Sequence, residues 1–266
     1  MKNSAMTFIR AVLFCLLCAI ALAAFSPVTK TFSTDWKEHI LLILAIIVTY
    51  GLVILFTKWE KLPLQDIGVV AGKTTFKKVI TGFGIGILMT SLQPAFVLLS
   101  GHYKVTPASH ISFNTIFFYL MLYILVALRE ELAFRSYPLF SLHYRFGLWP
   151  SQLIILVIFM LEHVAGGMTW IQAFTGAGLG ALLFGFAAIK TKGIALPFGL
   201  HTAWNFGQWF FGFKKETGIL QGVAEKGFEN IAERNAWISY LVIMIIAIIA
   251  FYFYNPKKEK GKTGIQ

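Results

Sequence analysis

The chain has 266 residues, 57% of them hydrophobic and 13% charged, and a formal net charge of +11. A soluble domain carries about 25% charged residues. With a mean hydropathy of +0.71, this balance excludes a soluble enzyme or binding module and points to an integral membrane protein built mostly of spanning helices.

A span needs roughly 20 apolar residues, and the chain supplies such segments in series. The first predicted helix covers 8–26. Lys2 and Arg10 precede its apolar run, which ends in Ala21-Leu22-Ala23-Ala24-Phe25-Ser26. That pattern also suits a cleaved signal segment, but multispanning proteins seldom need one, so a retained helix is expected. Cys15 and Cys18 lie inside the run and read as small packing residues, not a disulfide or metal pair. Further helices are predicted over 38–57, 79–99, 115–137, 149–166, 170–189, 193–212 and 236–254. Breaks at Ser26-Pro27, Lys58 to Lys78, Gly147 to Pro150, Gly166-Gly167 and Lys190 to Gly193 separate them. The charge-free stretch 146–161 is too short to span, so the fifth helix must continue through Glu162 and His163. No internal repeat or soluble domain interrupts the series. The expected fold is a single polytopic domain over 1–266, an all-α bundle of about eight transmembrane helices around an intramembrane polar cavity.

Orientation follows from where Lys and Arg fall. With alternating crossings, 16 of the 23 basic residues share one face, including Lys58, Lys61, Lys73, Lys77, Lys78, Lys190, Lys192 and the tail from Lys257. Lys30, Lys37, Lys104, Lys214, Lys215, Lys226 and Arg234 lie on the other. Both termini are therefore expected in the cytoplasm. The net charge is a topology signal and not a nucleic-acid footprint, and the basic tail can touch anionic headgroups.

Three polar motifs stand out because a charged side chain at membrane depth costs a few kcal/mol or more and marks a functional hypothesis. The fourth helix carries Glu130, Glu131 and Arg135. Adjacent helical residues point about 100° apart, so the two carboxylates are expected to do different jobs. Glu131 and Arg135 are spaced i,i+4 in the favourable ion-pair order, which leaves Glu130 to face a partner such as water. The bland reading is a solvated helix end. On the fifth helix, Phe159 and His163 share a face. A lone His there is more often an interhelical hydrogen bonder, and Glu162 is read as a helix cap or an interface residue. On the seventh, His201 and Asn205 project to one side. An amide can donate to a developing oxyanion, and an imidazole can ligate a metal, donate or act as an acid; polar packing between helices is the plain alternative.

His39, His102, His110 and His143 fall at helix edges or in loops, and all acidic residues except Glu130, Glu131 and Glu162 fall in connections or tails. Intramembrane ionisable chemistry is thus concentrated on helices four, five and seven. A strict helix ladder, however, sets Glu130 toward one membrane face and His163 toward the other. Convergence needs helix four to run past Arg135, or helix five to enter late or tilted, by one to two turns.

Glu-Glu-x-x-x-Arg, Phe-x-x-x-His and His-x-x-x-Asn, in this order on separate spans, resemble the CPBP family of CAAX-processing type II endopeptidases and bacteriocin-immunity (Abi) proteins. Gly185-Phe186 through Gly193 and Leu196-Pro197 ahead of His201 also look like the family. The match covers roughly 115–210, taken as the catalytic core. The resemblance implies an intramembrane endopeptidase acting on membrane-associated peptides or proteins. Glu130 would activate the attacking water, His163 would help hold it, His201 and Asn205 would bind the scissile carbonyl, and Glu131 with Arg135 would support them. The family is usually classed as metal-dependent. Glu130, His163 and His201 are the candidate ligands, with zinc the favoured metal, and a metal-free glutamate mechanism competes. Departures are Ser136 after the motif arginine, Ile154, Ile155 and Ile158 ahead of the second motif, and Glu162 beside His163. Substrates would be peptides or protein tails at a cell membrane, with lipid as the surroundings. A non-catalytic scaffold or self-immunity protein and a proton-coupled transporter are the competing readings; a transporter often shows related halves, which this chain lacks.

Overall fold

The computed structural model describes residues 4–99, 101–108, 111–214 and 218–255. Lys2, His110, Lys215 and the basic tail from Lys257 lie outside them. The described residues form an all-α membrane bundle with one small pair of strands.

Helix α1 (Ser4–Lys30) is followed by α2 (Lys37–Glu60) and α3 (Thr75–Leu98). The expected break at Ser26-Pro27 does not occur, and α1 continues through Pro27. Proline removes a donor only one turn from the end, where Thr29 Oγ1 donates to the Phe25 and Ser26 carbonyls and Thr31 Oγ1 donates to that of Val28. Strand β1 (Tyr103–Pro107) precedes α4 (Phe113–Phe134), which Ser112 caps by accepting from the Thr115 N–H.

The fourth predicted helix ends three residues early, and a further helix that the sequence reading did not anticipate fills the stretch before the next span. Backbone helicity stops at Phe134, and α5 (Tyr137–Phe146) follows with Pro138 in its first turn. Then come α6 (Leu148–Ala165) and α7 (Trp170–Gln172), which runs through a π-helical turn (Ala173–Gly178) into α8 (Leu179–Thr191). Helix α9 (Ala195–Phe210), strand β2 (Leu220–Ala224) and α10 (Glu229–Phe253) complete the order.

Six helices are long and apolar enough to cross a membrane: α1, α2, α3, α6, the continuous Trp170–Thr191 segment and α10. Helix α4, whose last turns carry Arg129, Glu130 and Glu131, and the 16-residue α9 are not among them.

The split of α4 and α5 resolves the ladder conflict. From Glu130 to the end of α4 and along α5 is about 20 Å of helix, and from Leu148 up α6 to His163 is also about 20 Å at 1.5 Å per residue. The chain therefore turns around below Glu130 and returns to the same level. Helix α5 is held inside the bundle: Tyr137, Leu139, Phe140 and Leu142 are buried with Phe14 of α1, Phe56 of α2 and Ile155 of α6. A second core joins α3, α8, α9 and α10 around Met89, Phe184, Leu200 and Met244.

Helices α3 and α9 make the closest helix pair. Gly82 and Gly86 on α3 face Gly199, Ala203 and Gly207 on α9, two rows of small residues at i,i+4 spacing that let backbones approach. A Cβ at Gly199 would collide with the Val79 carbonyl oxygen and one at Gly82 with that of Leu196. Gly199→Ala is therefore expected to destabilise the bundle by about 1–3 kcal/mol, the usual cost of overpacking. The midpoint of thermal unfolding in detergent measures it, and an unchanged midpoint would contradict the close approach. Because this face of α9 is committed to α3, His201 and Asn205 are turned the other way.

The two strands were not anticipated. They pair antiparallel, with Tyr103 opposite Ala224 and Pro107 opposite Leu220, and they tie the α3–α4 connection to the α9–α10 connection. Gly222 leaves room for the Tyr103 ring. Beside them His102 Nδ1 donates to Glu225 Oε2 at 3.0 Å and its ring stacks on Phe228 at 3.6 Å, and that hydrogen bond holds the Glu225 carboxyl below its ordinary range.

Candidate active site

Glu130, His163, His201 and Asn205, drawn from α4, α6 and α9, all line one cavity of about 750 Å³. Its wall runs from Glu130 to Gly166–Met168, just past α6, and to Phe213 and Lys214, just past α9. The cavity lies between the two apolar cores, with Phe159 of one and Phe184 and Trp204 of the other in its lining.

His201 is the centre of the arrangement. Its Nδ1 is 2.9 Å from Glu131 Oε1, and its Nε2 is 3.7 Å from Glu130 Oε2. The Phe184 ring stacks on the imidazole at 4.3 Å and restricts its tilt. A carboxylate accepts only, so Nδ1 carries the proton toward Glu131 and Nε2 is presented to Glu130 and the cavity. The two glutamates, about 100° apart on the helix, thus approach opposite nitrogens of the same ring. Glu130 also has the expected exposure to the cavity.

Glu131 and Arg135 form the expected pair at 3.6 Å, with both side chains fully buried. The Arg135 guanidinium has no hydrogen-bond partner among the described residues. Its charge is stabilised by Glu131 and by rings: its Cζ stands 4.3 Å from the Phe159 centroid and 5.5 Å from that of Phe184. The aromatic residue of the second motif therefore supports the arginine of the first.

His163 Nδ1 is 2.9 Å from the Phe159 carbonyl oxygen, one turn back on α6. That contact puts the proton on Nδ1 and leaves the Nε2 lone pair for the cavity. Asn205 Oδ1 accepts from Lys214 Nζ at 3.2 Å, so its NH₂ group is the donor it can offer a carbonyl oxygen. Lys214 also stands over the Tyr123 ring at 4.5 Å.

The Glu162 side chain turns to α4 rather than capping α6. It makes a bidentate ion pair with buried Arg129, the second contact being 3.2 Å from Nη2 to Oε2. Arg129 precedes Glu130 and Glu162 precedes His163, so this pair joins α4 to α6 at the level of the cavity. Arg129→Met alone strands a carboxylate and is expected to cost about 2–3 kcal/mol. The double change Arg129→Met with Glu162→Leu should recover most of it. Unfolding midpoints of both variants decide this, and equal losses would show that the pair is not coupled.

Sequence reasoning also placed every remaining acid in connections or tails, but Glu38 lies in the first turn of α2 and Glu229 and Glu233 in the opening turns of α10, and Glu60 departs furthest. It ends α2 only 4% exposed, accepting from Tyr137 Oη at 2.8 Å and Ser141 Oγ at 2.6 Å. Its position after an apolar run resembles any helix end, and only the packing of α5 buries it. Phe184, Tyr123 and Lys214 were likewise missed, since aromatic residues are common throughout the chain and Lys214 reads as a loop cation.

Glu130, His163 and His201 share the cavity. Among the described residues, however, no group of three or more His, Cys, Asp or Glu is gathered closely enough to hold a metal ion.

Residues 112–207 match the profile of a family described as type II CAAX prenyl endopeptidase Rce1-like. The matched segment contains α4 to α8 and the part of α9 that bears His201 and Asn205. No curated protein matches the chain.

Proposed function

Because residues 112–207 match the type II CAAX prenyl endopeptidase Rce1-like profile, we propose that the chain is an intramembrane endopeptidase that hydrolyses peptide bonds through a water activated by Glu130 and His163. The observation that carries this reading is the convergence of Glu130, His163, His201 and Asn205 on one cavity.

The side chains divide the chemistry as follows. The Glu130 carboxylate takes a proton from water while His163 Nε2 accepts a hydrogen bond from it and fixes its direction. The oxygen attacks the scissile carbonyl. Negative charge developing on the carbonyl oxygen is met by the Asn205 NH₂ and by the His201 ring beside it. Glu131 holds His201 in that orientation, and Arg135 holds Glu131. Protonated Glu130 then gives its proton to the departing amine nitrogen as the C–N bond breaks, which restores the carboxylate. No step requires a metal. A divalent ion bound by Glu130, His163 and His201 is the competing arrangement, and it would supply Lewis-acid stabilisation of the same oxyanion.

The lining that reaches Met168, Phe213 and Lys214 lies at the ends of α6 and α9, on the face with fewer Lys and Arg. By the positive-inside rule this is the extracytoplasmic face. Substrates are accordingly peptides or membrane-protein tails that approach from outside.

The test is cleavage of a quenched peptide library by the purified, detergent-solubilised chain, with and without a chelator and with metal analysis of the protein. Cleavage that persists in the chelator at full rate supports the metal-free mechanism, whereas loss restored by added zinc replaces it with the metal-bound one. Failure to cleave both the library and membrane-tethered peptides, by a folded preparation, would favour a non-catalytic scaffold.

A further inference from the structure

A second cavity, of about 780 Å³, lies at the opposite ends of the helices from the mouth of the candidate site, where α3 begins and α8 and α10 end. Lys77 and Lys78 of α3, Lys190 in the last turn of α8 and Lys192 just beyond it line this cavity, and among the described residues no Asp or Glu does. The lysines are held in different ways. Lys78 Nζ donates to the Thr191 carbonyl at 2.6 Å and closes the end of α8. Lys190 Nζ stands 5.7 Å from the Tyr252 ring centroid. Lys77 and Lys192 are exposed.

Four ammonium groups around one hollow repel each other unless an anion joins them. The wall also has an apolar part, Ile189 and Leu196, and includes Tyr254. Polar and cationic groups at helix ends with apolar surface beside them match the headgroup and upper acyl chain of a lipid. Other lysines on this face, Lys58, Lys61 and Lys73, are not in the cavity lining. A general excess of positive charge therefore does not account for the gathering of these four.

We propose that this cavity binds a phosphate group, that of an anionic phospholipid headgroup on the lysine-rich face of the membrane. The site is separate from the peptidase reading and stands or falls without it.

The experiment is native mass spectrometry of the full chain in detergent with dioleoyl phosphatidylglycerol and dioleoyl phosphatidylcholine in competition. Wild type is expected to retain phosphatidylglycerol about 10-fold better. A Lys77→Gln, Lys190→Gln, Lys192→Gln triple variant should lose that preference, with Lys78 left in place because it closes α8. Lys58→Gln, Lys61→Gln, Lys73→Gln should keep it. If the inner triple does not fold, Lys77→Gln and Lys192→Gln singly, both exposed, should each weaken retention about fivefold. Displacement of the lipid from wild type by millimolar inorganic phosphate would support the phosphate site and assign it a soluble source, and resistance to displacement would support the lipid. Equal retention of the two lipids by wild type, or equal loss of preference in the inner and outer triples, would overturn the proposal.

Discussion

Glu130→Gln is expected to lower peptide-bond cleavage by about 10²–10⁴-fold, the range for loss of a positioned general base, while the bundle stays folded. Gln has the same shape and still fits beside His201, but it takes no proton from water and returns none to the leaving amine. The side chain faces the cavity, with 14% of its surface accessible, and its nearest charged partner, His201 Nε2, is 3.7 Å away. Little packing is therefore lost. Glu131→Gln is the informative comparison, because Glu131 is fully buried, 2.9 Å from the other nitrogen of the same ring. It should impair cleavage by loosening His201 and should also lower the unfolding midpoint. The measurement is kcat on any substrate found in the library, together with the unfolding midpoint of each variant. Undiminished kcat in Glu130→Gln would remove this residue from the chemistry and with it the proposed mechanism.

Arg135→Met is expected to give the largest loss of stability, about 3–5 kcal/mol, the cost of breaking a buried ion pair by removing one partner. Arg135 and Glu131 are both fully buried. Without the guanidinium, the His201 imidazole is the one side-chain partner left to the Glu131 carboxylate among the described residues. The rings of Phe159, Phe184 and Phe134 lose the cation they surround. Methionine fills much of the volume, so the loss reports charge more than cavity. Adding Glu131→Gln to Arg135→Met should recover part of the loss, since the stranded charge is then gone. Unfolding in detergent, followed by aggregation or by thiol labelling of buried Cys15 and Cys18, measures both. If Arg135→Met melts with wild type, the pair does not support the site.

Both expectations depend on one layout, in which a single imidazole is addressed by two neighbouring carboxylates. The carboxylate with an arginine behind it orients the ring, and the one open to the cavity is available to water. This is why the same charge change at adjacent positions is expected to act on rate at Glu130 and on both rate and stability at Glu131.

Much of this was legible in the residues. Low charge and long apolar runs determine an all-α membrane bundle, because backbone polar groups in lipid must be satisfied within each segment. The i,i+4 spacing of Glu131 with Arg135 and of His201 with Asn205 determines which side chains share a helix face. The expense of charge at membrane depth singles out Glu130 and His163. The tertiary structure decided what spacing along one helix cannot specify. It ended the fourth helix at Phe134 and added α5, for which the sequence reading had no helix, so that the chain turns around and brings His163 level with Glu130. It turned Glu162 onto Arg129, although the sequence offers a cap or an interface as equally good homes for that carboxylate. It buried Glu60 under α5, and it paired two five-residue strands too short to show a clear period. It also directed His201 and Asn205 into the cavity by packing the glycine rows of α9 and α3 together. In each case the deciding energy is a contact between segments far apart in the chain, and such contacts exist only once the helices have packed.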